Sequence, residues 1–140
     1  MADAIATGTL SQKWVQFAPD AIWDGEELPN ATTKTSDEFE VGKDQGGVSV
    51  AVRANTAISI ADGESLTLTL QKASASGGTF ADEVQFYDAT GDGAVVAFDA
   101  GDIIAEVIPG STDIFKKIVV TTSADESSET IDAFLRRVSG

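Results

Sequence analysis

The clearest hydrophobic rhythm lies at Ser65-Leu-Thr-Leu-Thr-Leu-Gln71, where Leu66, Leu68 and Leu70 alternate with Thr67, Thr69 and Gln71. Period two is the signature of a strand with one buried and one wet face, and a helix would scatter the three leucines around its axis. Threonine favours strands, and the alternation outweighs leucine's indifference. The same rhythm recurs in Val48, Val50 and Val52, in Ala57-Ile-Ser-Ile60, in Val84-Gln-Phe-Tyr87 and in Ala94-Val-Val-Ala-Phe98. Ile103-Ile-Ala-Glu-Val-Ile108 and Phe115-Lys-Lys-Ile-Val-Val-Thr-Thr122 continue it, the latter mostly apolar on both faces.

Turn residues separate these runs. Asp62-Gly63 favours positive φ and a tight reversal, Asp88 to Gly93 reads as an acidic hairpin turn, and Pro109-Gly110 is a turn pair. Short strands at roughly 10-residue spacing, broken by Gly and Pro, predict an all-β antiparallel sandwich or barrel of about eight strands.

The last segment carries two patterns. Ile131, Phe134, Leu135 and Val138 form a helical stripe, with a capping-box pattern upstream at Ser123 and Glu126. Ile131, Ala133 and Leu135 also alternate as in a strand. The surrounding β-pattern favours the strand, expected to pair with Phe115–Thr122 across the polar loop Ser123–Ser128.

Residues 1–47 lack the rhythm and read as an irregular arm of the same domain, with residues 48–140 as the sandwich core. The arm holds Trp14, Phe17 and Trp23, a grouping that fits either a lid on the core or a partner-binding surface. Each buried ring would contribute about 2–3 kcal/mol, and tryptophan is enriched at interface hot spots.

Composition narrows the chemistry. The chain of 140 residues has no cysteine and no histidine, which removes disulfides, thiolate metal sites and every Ser–His or Cys–His mechanism. A net charge of −14 repels phosphate backbones, and the basic residues are scattered, so nucleic-acid binding is not expected. Such acidity favours solubility. No run approaches the roughly 18 apolar residues a membrane span needs, and the opening residues do not read as a signal peptide. The expectation is therefore a soluble protein made in a cytoplasm.

Two acidic groupings invite a functional reading. Asp88, Asp92 and Asp99 partly copy a calcium loop, but Thr90 occupies a ligand place and the final residue is Asp rather than Glu. Asp20, Asp24, Glu26 and Glu27 crowd beside the tryptophans as in a sugar-binding cleft, with no spacing that fixes two carboxyls face to face. A solvated loop over an aromatic anchor is the far commoner arrangement. Neither a catalytic constellation nor a cofactor is expected.

Three pieces read together resemble a known family. They are Ser65-Leu-Thr-Leu-Thr-Leu-Gln-Lys-Ala-Ser74 with Gly77-Gly-Thr-Phe80, then Ala100-Gly-Asp-Ile-Ile-Ala-Glu-Val-Ile-Pro109, then Lys117-Ile-Val-Val-Thr-Thr122 with Glu129-Thr-Ile-Asp-Ala-Phe-Leu135. Their order is similar to the capsid cement, or head decoration, proteins of tailed bacteriophages, of the Bordetella-phage type. The resemblance covers about residues 48–137. It implies a jelly-roll sandwich on the capsid exterior that bridges neighbouring major capsid proteins and self-associates as a dimer or trimer. The residues alone leave open a carbohydrate-binding or adhesin-like sandwich, or another phage head or tail protein.

Overall fold

A computed structural model describes residues 21–41, 48–90 and 95–137. Every regular element among them is a strand. The first three are short: β1 (Trp23–Glu27), β2 (Thr33–Thr35) and β3 (Phe39–Glu40). Then come β4 (Val48–Ala54), β5 (Ile58–Ile60), β6 (Ser65–Ala73) and β7 (Ala81–Thr90). The last four are β8 (Val96–Phe98), β9 (Ile103–Val107), β10 (Phe115–Thr122) and β11 (Thr130–Arg137).

The strands form two main antiparallel sheets and a small ladder. One sheet has the order β1-β11-β4-β9; the other runs β2-β10-β6-β7, with β3 also on β10; β5 pairs β8 separately. The leucine strand is central: β6 pairs β10 on one side and β7 on the other. Leu66, Leu68 and Leu70 are 1 %, 0 % and 0 % exposed, as their alternation requires. They pack with Ile118 and Val120 of β10 and with the inner faces of β4 and β11, namely Val50, Val52, Ile131 and Ala133. This two-layer core makes the molecule an all-β sandwich. Burying each such side chain contributes about 1.5–3 kcal/mol against the chain entropy lost.

Three pairings differ from the sequence expectation, for one physical reason. Alternation tells a strand which face to bury but not which neighbour to take. The C-terminal segment is a strand, β11, yet it pairs β4 and β1 rather than β10. The loop from residue 123 to 129 therefore crosses from one sheet to the other. Asp62-Gly63 does form a tight turn, with Gly63 at φ 85° and the Glu64 N–H donating to Ala61 O at 3.0 Å. It links β5 to β6, however, which lie in different ladders. The strands on either side of the Asp88–Gly93 turn, β7 and β8, likewise take other partners, β6 and β5 respectively, and residues 91–94 of that turn lie outside the described residues.

The region read as an irregular arm supplies strands to both sheets. β1 adds to β11, while β2 and β3 add to β10. The outward face of the first sheet is tied by a polar network at Asp132, which is 6 % exposed. Its carboxylate accepts the Gly25 N–H at 2.8 Å, two Arg53 guanidinium donors at 3.0 and 3.2 Å, and the Asn55 amide. Arg53 also stacks over Phe134, 4.9 Å from the ring centre. Gly25, at φ 67°, marks the bulge that aims its N–H at Asp132.

Candidate interaction surface

Those of the singled-out residues that the structure describes do not come together in one site. Trp23 is 6 % exposed and belongs to the core, on β1 opposite Ala133. Trp14, Phe17 and Asp20 lie outside the described residues. Asp24, Glu26 and Glu27 fall on β1 rather than in a loop, and Glu26 pairs with Lys34 at 3.1 Å on the surface. An exposed pair of this kind adds little stability. Asp88 accepts the Thr90 hydroxyl at 3.1 Å, and the Asp99 N–H donates to the Asp102 carboxylate at 2.9 Å. Asp92 lies outside the described residues, among which no cluster of three potential metal ligands forms.

A more organised surface arises where the edge strand β7 meets β9. β7 carries two extra residues relative to β6, because Leu68 faces Tyr87 while Thr69 faces Gln85, and Leu70 faces Val84 while Gln71 faces Asp82. The extra residues are Phe86 and Glu83. A bulge re-aims a side chain, and here it turns Glu83 inward. Bulges also blunt an edge that would otherwise template further strands.

Glu83 meets Lys116 of β10, which alternation places on the buried face with Ile118 and Val120. The Lys116 side chain is 0 % exposed and its Nζ lies 2.5 Å from Glu83 Oε1. The other Glu83 oxygen accepts the N–H groups of Gly110 and Ser111 at 2.8 and 3.2 Å. One carboxylate thus neutralises a buried cation and fixes the loop after β9, the arrangement a charge needs away from water.

Above this pair lies a cleft of about 570 Å³, lined by Lys72, Glu83, Val84, Val107, Ile108 and residues 110–112. Ile108 is 60 % exposed and Val84 38 %, both large apolar side chains on rigidly held backbone. On the opposite face of β10 from Lys116, Lys117 sits 4.5 Å over the Phe80 ring. The arrangement holds apolar groups out on a pre-set frame, which suits burial against another macromolecule.

No family model, curated protein or solved structure matches the chain.

A second cavity, of about 450 Å³, lies at the far side near Ile22, Phe39 and Leu135 and is rimmed by Asp37, Glu38 and Glu40. Glu38 is committed elsewhere: it accepts the Gly77 N–H at 2.8 Å and the Ser76 hydroxyl at 2.5 Å. Those two donors, the backbone one first, hold its carboxyl below the ordinary value. Further along β7, where Tyr87 meets Phe98 edge-on, burial first and the Asp88 charge second raise the Tyr87 hydroxyl.

Sequence reasoning missed the Lys116–Glu83 pair. The signal for Lys116 was present, since period two puts it in line with Ile118, Val120 and Thr122. Glu83 had none, because its inward aim comes from a bulge that only strand pairing creates.

Proposed function

We propose that this chain is a decoration protein of a tailed-phage capsid, binding the outside of the shell and bridging neighbouring major capsid proteins. The observation that carries this reading is the ordered set of three segments, residues 65–80, 100–109 and 117–135. They fall on β6, β9, β10 and β11, strands drawn from both sheets. A jelly-roll description belongs with the same reading, and connections that cross between the sheets suit it.

The apolar rim at Val84 and Ile108 supports a binding role, because such groups gain free energy when a partner covers them. In this reading Trp14 and Phe17 are further anchors, while Trp23 acts from within the core. Many copies on one lattice gain avidity, so each contact need not be strong. Self-association as a dimer or trimer would multiply that effect.

Co-sedimentation with expanded, empty shells of the phage that encodes the chain tests the proposal. Saturable pelleting at micromolar protein is the expected result. Protein that stays in the supernatant while binding glycans on an array would replace this reading with a carbohydrate-binding one.

A further inference from the structure

At one end of the sandwich the carboxyls of Glu64 and Glu129 flank that of Glu126, and no ion pair among the described residues involves any of the three. Glu126, in the loop joining β10 to β11, is only 6 % exposed, and its Oε2 is buried with no hydrogen-bond partner. Glu129 Oε1, in the same loop, is also buried and unpartnered, while its Oε2 accepts the Ser59 N–H of β5 at 2.9 Å. Glu64, from the β5–β6 turn, completes the group as a side-chain neighbour of Glu126.

The backbone around them is stitched in place. The Ser123 N–H donates to Ser65 O at 3.1 Å, and the Ser65 N–H returns to Ser123 Oγ at 2.8 Å. Glu126 N–H reaches Pro29 O at 3.2 Å, and Leu28 N–H reaches Glu129 O at 2.9 Å. Three chain segments therefore meet here, and these bonds hold together the backbones that carry the carboxyls.

Ionised carboxylates only accept hydrogen bonds. Two of them side by side in a buried site repel, and each orphaned oxygen costs free energy. A single proton converts one carboxyl into a donor and resolves both problems. We propose that Glu126, Glu64 and Glu129 share one bound proton, which clasps the β10–β11 loop to the β5–β6 turn, and that its loss releases the clasp.

The neighbouring groups fit this assignment. The segment from Leu28 to Ala31 that packs on the loop contributes no titratable side chain. Asp125, the next acid, is exposed and accepts both the hydroxyl and the N–H of Ser127, which in that order hold its carboxyl below the ordinary value. Asp62 shares the turn with Glu64 on its exposed side. Burial first, then hydrogen bonding with Glu64 and the charge of Glu129, push the Glu126 carboxyl up to about 7.

The sign follows from linkage. The folded state holds a proton that the unfolded chain releases near the ordinary value of 4.5, so the clasp is complete below that pH and is lost as pH rises through about 7.

Carbon-13 NMR titration of the glutamate carboxyls, with amide hydrogen exchange corrected for intrinsic rate, tests it. One carboxyl should titrate near pH 7, and the Ser65 and Ser123 amides should lose protection about 10-fold or more between pH 6 and 8. Glu126→Gln, whose amide donates at every pH, should abolish that titration and make protection independent of pH. Glu64→Gln, at a partly exposed turn position, should lower the midpoint and serves if the first variant does not fold. All glutamates titrating below pH 5.5 would overturn the proposal. So would a clasp that closes at pH 8 on adding calcium, which would make it a cation site.

Discussion

Removing the buried Lys116–Glu83 pair one partner at a time should show that its members depend on each other. Lys116 is wholly enclosed, Glu83 nearly so, and their closest atoms are 2.5 Å apart. Lys116→Met removes the cation but leaves Glu83 two backbone donors, so the expected cost is about 3 kcal/mol. Glu83→Leu strands an ammonium with no counter-charge and orphans the Gly110 and Ser111 N–H groups, at about 4 kcal/mol. The double variant carries neither charge. It should be no less stable than Glu83→Leu alone, giving a coupling of about 3 kcal/mol. A domain of this size has about 5–15 kcal/mol of stability, so all four proteins should remain folded at low denaturant. Urea unfolding followed by tryptophan fluorescence measures each value if the slopes agree. Costs that add within about 0.5 kcal/mol would refute the reasoning, because they would mean the two charges are solvated separately.

Other substitutions probe other levels of the structure. Leu68→Ala, at the centre of the core, should cost about 2–5 kcal/mol in urea unfolding, while Thr67→Ala on the opposite face should cost below about 1 kcal/mol. Asp132→Ala should cost about 2–3 kcal/mol, since it strips acceptors from the Gly25 N–H, Arg53 and Asn55, and calorimetry would read it as a lowered Tm. Ile108→Asp should leave Tm within about 2 °C of wild type, as a 60 % exposed residue allows, yet reduce shell pelleting several-fold.

Alternation made the strands and their buried faces legible. Leu66, Leu68 and Leu70 were readable as core because a strand's geometry leaves their side chains no other common face. The C-terminal segment carried a helical stripe as well as an alternation, and only the β-pattern of the rest of the chain pointed to the strand that β11 is. Partner choice was not legible: β11 joins β4 and β1 because the core needs Ile131 and Ala133 opposite the leucines, a demand set by the other sheet. The acidic groupings misled for a related reason. Asp24, Glu26 and Glu27 are close in sequence, but β1 spreads them along an edge, whereas Glu64, Glu126 and Glu129 meet only because the β10–β11 loop crosses between sheets.

Binding to assembled shells bears most directly on the central claim. On the proposed reading, empty expanded phage shells incubated with the purified protein, pelleted and imaged, should carry it at regular lattice positions on their outer surface. The bound amount should saturate, and decorated shells should withstand heating better than bare ones. Shells that remain bare at tens of micromolar folded protein would contradict the account.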